Sequence, residues 1–422
     1  MSPLSPVQQT VSEAHRLRLD PIATPDRLLL GPGPSNADPR VLQAISRPPL
    51  SHLDPLYLEL MNEVQDMLRY VWQTDNRFTI PVSGTGSAAM EATIANCVEA
   101  GDTVVVGVIG YFGMRLVDMC GRYGANVVQI NAPWGEALSL DAIKKAVEDH
   151  KPAVLALVHA ETSTGVWQPL DGIGDFCHAH DCLLLLDTVT SLGGVPLKLD
   201  EMGVDLAYSC SQKGLSCPPG LGPFTMSARA EAKLDARKTK VPNWYLDMSG
   251  LKSYWGSKRT YHHTAPVNMN FGLREALRLL CEEGIENSWA RHRRNSERLW
   301  DGLQSQGLQL HVPVELRLPT LTTVRIPEGV DGKAFALHML NAHGVEIGNG
   351  LGDLAGQVWR IGLMGTNSQP ENVDRLLNLL EQELPAFRET AAVARTSSAA
   401  APGIPLPIGR PPHPCDGVRF PS

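Results

Sequence analysis

No two cysteines in this 422-residue chain stand at CxxC spacing, although it has eight, at positions 97, 120, 177, 182, 210, 217, 281 and 415. Zinc and iron–sulfur sites usually draw on closer pairs, so Cys177/Cys182 and Cys210/Cys217 do not argue for a metal centre, and no metal is expected. Several of the cysteines lie in apolar runs, as Cys182 does in CLLLLD, which reads as core packing by reduced thiols. Also missing is any apolar stretch approaching the roughly 20 residues of a membrane span. The start, MSPLSPVQQT, lacks the apolar core of a signal peptide, and the ending, RFPS, is not a peroxisomal address. A cytoplasmic protein with no membrane partner is therefore expected. Blocks of one charge are absent too: 37 basic against 45 acidic residues give a net charge of −8. The one basic run, RHRRNSERLW at 291–300, reads as a solvated helix face, so no nucleic-acid partner is expected.

What is present is a large apolar fraction, 43%, in a chain long enough for two domains. Between a proline-punctuated start and an Ala/Pro-rich end the pattern alternates. Helical spacing in SAAMEATIANCVEAG (87–101) gives way to the β-branched run DTVVVGVIG (102–110), and LVDMCGRYGA (116–125) is helical again. The amphipathic LDAIKKAVEDHK (140–151) precedes PAVLALVHA (152–160), DCLLLLDT (181–188) and VDLAYS (204–209). Near-continuous apolar strands alternating with helices predict a mostly parallel sheet covered on both faces. One long helix is expected over about 267–308, then a smaller α+β unit.

In such a sheet, ligands bind at the C-terminal ends of the strands. PVSGTGSAAMEA (81–92) leads from a strand through a Gly/Ser/Thr turn into a helix, which suits either a phosphate or ordinary capping. LLLLDTVTS ends a strand in Asp187, and a carboxylate there needs a cationic or hydrogen-bonding partner or serves as a turn cap. HAETSTG (159–165) ends its strand in a carboxylate and hydroxyls, and Tyr111–Phe112 stand at another strand end. CSQKGLSCPPG (210–220) sets Lys213 among small residues with no acid to pair with. A phosphate cradle, an aspartate, an aromatic ring and an unpaired lysine together are what pyridoxal phosphate requires: amine for the aldehyde, carboxylate for the pyridinium nitrogen, ring against ring.

Together GPGPSN (31–36), SGTGSAAMEA, ETSTG, LLLLDTVTSLGG, SCSQKGLSCPPG, YHHTAP (261–266) and WRIGLMG (359–365) resemble the class V aminotransferases, in the family's order, from about Arg27 to Phe387. The resemblance implies an α/β, fold-type I (aspartate-aminotransferase-like) homodimer. Its large domain would hold a mostly parallel seven-stranded sheet, beside a smaller C-terminal α+β domain. The expected bounds are an arm at 1–26, a large domain at 27–280, a small one at 281–388 and a disordered tail at 389–422. Lys213 would be the Schiff-base lysine and Asp187 the partner of the pyridinium nitrogen. Phe112 would stack on the ring, and Val189 would pack on it. Thr85, Gly86, Ser87 and Gln212 would hold the phosphate, and Thr162 would approach the phenolic oxygen. Tyr261 and Thr264 would reach the phosphate of the partner subunit. Arg360 and Gly33 would meet the substrate, Arg360 by a two-pronged contact with its carboxylate. Phe112 replaces the tryptophan of close relatives, and Ser87 stands where some carry histidine. The implied reaction moves the amino group of a small amino acid, alanine, to glyoxylate, giving glycine and pyruvate. Serine is the alternative donor, and a non-catalytic protein on the same fold is the alternative of another class.

Overall fold

Strands that are apolar along their whole length need cover on both faces, and the computed structural model provides it. It describes residues 15–398, with side chains through residue 388. Seven strands form the main sheet, in the order Phe78–Ser83, Leu221–Met226, Leu206–Tyr208, Leu183–Asp187, Val154–Val158, Thr103–Val108 and Asn126–Asn131. Leu221–Met226 runs antiparallel to both its neighbours, and the remaining pairs are parallel. Val104, Val106 and Val158 pack into one apolar layer, while Val105, Leu155, Leu157, Leu184 and Leu186 pack into the other. Successive side chains along a strand point to opposite faces. Both faces are helix-covered here, so the alternation expected of a half-exposed strand disappears.

The expected single helix over 267–308 is two, Val267–Glu283 and Ile285–Ser305. Gly284, at φ 84°, ends the first and starts the second. Its left-handed backbone is cheap only for glycine. Tyr70 Oη then accepts the hydrogen bond from the Ile285 N–H.

A second sheet has the order Leu28–Leu30, Val345–Asn349, Val358–Gly362 and Leu321–Arg325. The expected boundaries grouped residues from 27 onward with the large domain. Instead Leu28–Leu30 lies parallel to Val345–Asn349, pairing Leu28 with Val345. A three-residue apolar run carries no local sign of which sheet it will join. Residues 16–26, expected as an arm, are exposed and contain no strand or helix. The last helix runs Pro370–Ser398, so it enters the segment expected as a tail. The rest of that segment, and residues 1–14, lie outside the described residues. Among the described residues Cys97, Cys120, Cys177, Cys182, Cys210 and Cys217 are buried and unpaired, and no helix is long and apolar enough to cross a membrane.

Candidate functional site

Five strand ends of the main sheet converge on a cavity of about 240 Å³. Its wall brings together Gly33, Thr85, Gly86, Ser87, Phe112, Thr162, Asp187, Val189, Gln212 and Lys213. These residues span some 180 positions of sequence. Gly33 follows Leu28–Leu30 of the second sheet, and the others meet because each follows or ends a strand on the same edge of the main sheet.

The anion end is built by the helix Gly86–Cys97. Thr85 holds its N-cap position without making a side-chain cap bond. The Ala88 and Ala89 N–H groups donate to the Thr85 carbonyl oxygen, which leaves those of Gly86 and Ser87 for a ligand, where the helix dipole favours negative charge. The Gln212 amide lies on the same wall, where its Nε2 is the donor an anion requires, and its buried Oε1 has no hydrogen-bonding partner among the described residues to hold the amide in place. Gly86 must be glycine for steric reasons, since a Cβ there would lie 2.8 Å from Cys210 Cβ.

At the opposite end Asp187 is 3% exposed. The Tyr208 hydroxyl donates to its Oδ2 at 2.6 Å, and the Val189 N–H donates to its Oδ1 at 2.9 Å. Burial nevertheless lifts its pKa from 3.8 to about 6, since these hydrogen bonds and the nearby charges of Lys213 and Arg115 offset it only in part. The carboxylate is therefore short of one positive partner, which a protonated pyridine nitrogen supplies. An uncapped helix terminus, an orphaned amide and an under-compensated carboxylate, set around one small cavity, fit pyridoxal phosphate.

Lys213 is as isolated as its sequence context implies. Burial pushes its pKa down, and Nζ donates to the Pro32 carbonyl oxygen rather than to a carboxylate. Gly33, expected to meet substrate, turns out to be the floor beneath this lysine. A Cβ on Gly33 would stand 2.6 Å from Lys213 Cδ, Cε and Nζ, and its φ of 113° already excludes most side chains. Ser35 Oγ donates to the Lys213 carbonyl oxygen at 2.8 Å, which ties the GPGPSN turn to the lysine loop.

Arg360 lies behind the wall. Its Nε donates to the Asn349 carbonyl oxygen at 2.7 Å and its Nη1 to that of Thr162 at 3.3 Å. It is the middle residue of Val358–Gly362, a strand of the smaller sheet, and reaches the large sheet's edge from there. Tyr261 is 56% exposed and Thr264 is exposed, so within one chain neither reaches the cavity.

Three residues of the site had no role assigned from the sequence. Tyr208 sits directly beside Asp187 in the register of neighbouring strands. Arg115 lies on the cavity wall with its guanidinium over the Phe112 ring at 4.9 Å and 3.5 Å from Ser87 Oγ. Its i+3 spacing from Phe112 was the available signal. Glu161 is fully buried, and burial raises its pKa. It accepts from the Phe112 N–H at 3.1 Å, the Gly113 N–H at 3.4 Å, and the Ser163 N–H and hydroxyl at 3.0 and 2.6 Å. Ser163 Oγ in turn accepts from the Tyr111 N–H at 2.9 Å. The helix Tyr111–Arg122 starts at Gly110 with no side-chain cap of its own. Glu161 caps it from the neighbouring strand end and so fixes where the Phe112 ring sits. Replacing Glu161 with Gln puts donor N–H groups against donors. The helix start should loosen at a cost of about 1–2 kcal/mol. Cofactor dissociation, followed by absorbance, should speed up several-fold, and unchanged dissociation would show that the ring is held by other contacts.

A sheet-edge lysine of lowered pKa, facing a buried aspartate across an anion cradle, defines a fold-type I, pyridoxal-phosphate-dependent aminotransferase. The family model for "Aminotransferase class-V" matches residues 28–376. The alanine–glyoxylate aminotransferase of Mus musculus is 44% identical over 368 residues, covering 86% of this chain and 89% of that protein. The (S)-ureidoglycine–glyoxylate transaminase of Bacillus subtilis is 38% identical over 381 residues, covering 86% and 92%. The crystal structure of an alanine–glyoxylate aminotransferase from Nostoc sp. superposes with a TM-score of 0.88 at 63% identity, covering 89% of this chain and 100% of that one. The chain belongs to the class V aminotransferases.

Proposed function

We propose that the chain transfers the amino group of alanine to glyoxylate, releasing pyruvate and glycine, with serine as the second donor. The observation that supports this reading is the similarity, at 44% and 63% identity, to proteins named alanine–glyoxylate aminotransferases, joined to a cavity of only about 240 Å³. A space of that size, with the cofactor inside it, suits a small donor.

When bound, pyridoxal phosphate supplies an aldehyde that condenses with amines and a ring that draws electron density from the substrate Cα. The protein's own residues do the rest. The first turn from Gly86, with Thr85, Ser87 and Gln212, would hold the phosphate. Phe112 and Val189 would pack against the ring, and Thr162 would approach the phenolic oxygen. Burial disfavours the charge of Lys213, so Nζ gives up its proton more readily than an exposed lysine, and it would serve as nucleophile toward the aldehyde and as the base for the Cα proton. Arg360 gives up the carbonyls of Asn349 and Thr162 to grip the substrate carboxylate with both prongs. Gly33 leaves the space into which Nζ swings.

The reading is tested by incubating purified protein with glyoxylate and alanine, serine or glutamate, and measuring glycine. Alanine should give the fastest formation and glutamate the slowest. Faster turnover with glutamate would overturn the donor assignment. Arg360→Ala should lower kcat/KM for alanine and for glyoxylate by roughly 30–150-fold, the worth of about 2–3 kcal/mol in charge-assisted hydrogen bonds. Cofactor content should stay unchanged.

We further propose a homodimer, in the cytoplasm, with Tyr261 and Thr264 completing the phosphate site of the partner subunit. Both are exposed in the single chain, on a surface that also carries Trp244, 69% exposed, and Tyr245, 41% exposed. Mixing a Lys213→Ala variant with a Tyr261→Ala/Thr264→Ala variant should restore activity once subunits exchange. Proven exchange with no recovery would rule out shared sites.

A further inference from the structure

Outside the cavity wall, two histidines and a glutamate converge from two helices. His338 and His343 lie on Gly332–His343, and Glu383 lies on Pro370–Ser398. Among the described residues this is the one group whose three candidate ligand atoms all fall within 4.8 Å of one another. His338 Nε2 is 2.8 Å from Glu383 Oε2, and His343 Nε2 is 3.0 Å from Glu383 Oε1. The second contact is short but misaligned. His343 Nε2 is buried and makes no hydrogen bond among the described residues. The His338 and His343 rings stand 5.6 Å apart at 80°. The Phe387 ring, 5.3 Å from His338, walls one side. Arg375 donates to the His343 carbonyl oxygen at 2.8 Å, which fixes the end of the first helix.

We propose that His338, His343 and Glu383 form a zinc site, separate from the catalytic cavity, that fastens the last helix to the helix Gly332–His343. Two imidazole nitrogens and one carboxylate oxygen are a zinc donor set, with water as the fourth ligand. Nitrogen donors select zinc over magnesium or calcium, which take oxygen. Tetrahedral coordination at ordinary zinc–ligand lengths needs edges of about 3.4 Å between ligand atoms. His338 meets Oε2 and His343 meets Oε1, so only one of the two contacts is an edge to a single ligand oxygen, and it falls within about 0.6 Å of that length. One ligand atom from each residue still lies within 4.8 Å of the other two, so binding requires side-chain shifts and no movement of the helices. Each Nε2 must offer its lone pair. The proton on His338 Nε2 therefore moves to Nδ1 or to water as the metal enters, and the charge of Glu383 is met by the metal instead.

The experiment uses the full chain, loaded with pyridoxal phosphate and free of any histidine tag. Equilibrium dialysis against zinc, with bound metal measured by mass spectrometry, should give about one zinc per chain in the wild type. Zinc should also raise its melting temperature. Outer-shell partners alone are worth about 10–100-fold in metal affinity, so Glu383→Gln or His338→Ala/His343→Ala should weaken binding by more than ~100-fold and abolish the melting shift. Transaminase activity without added metal should be equal in all of them. Glu383→Gln keeps the side-chain shape, so it decides the matter if the double variant folds poorly. No bound zinc in the wild type overturns the proposal and leaves an ion pair. Equal stoichiometry in wild type and variants overturns it by placing the metal elsewhere.

Discussion

Replacing Lys213 with alanine should lower turnover by about 10⁴-fold or more, because one amine acts as both nucleophile and proton carrier. Nothing nearby can take its place. The cavity wall offers Arg115, but a guanidinium stays protonated and cannot act as a base. Cys210 is on the wall, yet burial pushes its thiol up to about 12. Two measurements separate loss of chemistry from loss of the site. Borohydride should fix cofactor covalently in the wild type and not in the variant, while the variant still binds pyridoxal phosphate through the helix terminus and Asp187. A small added amine should restore part of the rate, since Gly33 leaves room where Cδ, Cε and Nζ packed. Retention of even a tenth of wild-type activity would falsify the assignment.

Asp187→Asn should be nearly as damaging in the loaded enzyme and harmless in the unloaded one. With the cofactor bound, the change removes the charge facing the ring nitrogen in a buried site. Breaking such a pair costs about 3–5 kcal/mol, or roughly 10²–10⁴-fold in rate if the loss is felt at the reaction's electron sink. Without cofactor the sign reverses. The Asp187 pKa stands at about 6 in the folded chain against 3.8 when unperturbed. Between those values the folded chain holds the proton and the unfolded chain does not, so stability falls as pH rises through that window. Keeping the group ionised above it costs on the order of 3 kcal/mol. The unloaded wild type should therefore lose melting temperature between about pH 4 and pH 6 relative to Asp187→Asn. Loading with cofactor should remove the difference. Parallel pH profiles for the two unloaded proteins would show that the carboxylate is better compensated than its surroundings indicate.

The parts of this site that the sequence displayed share one property: their signals are local. The turn Gly84–Ser87 reads as an anion cradle because the strand before it and the helix after it are visible within about fifteen residues. Asp187 stands out as a carboxylate closing a run of four leucines, and Lys213 as an amine among small residues with no acid nearby. Glu161 was visible as a strand-end carboxylate, but its task was not. That task depends on the first turn of a helix 48 to 49 residues earlier, which meets it only after Thr103–Val108 and Val154–Val158 pair in parallel.

Apolar runs too continuous for a half-exposed strand, broken by helices of 3.6 periodicity, determined by themselves that this chain forms a covered parallel sheet. The chemistry of the residues at the strand ends determined that the sheet serves a phosphate-bearing cofactor and an amine. Tertiary structure alone decided the rest. It set Tyr208 against Asp187, Glu161 beneath the Phe112 helix and Lys213 over Gly33, sent Leu28–Leu30 to the sheet of Val345–Asn349, and brought Arg360 up behind Thr162. The physical reason is range. Backbone propensity and side-chain alternation act over a few residues and are written in order along the chain. The partner of a buried polar group is chosen by which distant segments the closing core leaves beside it, and no window of sequence contains both.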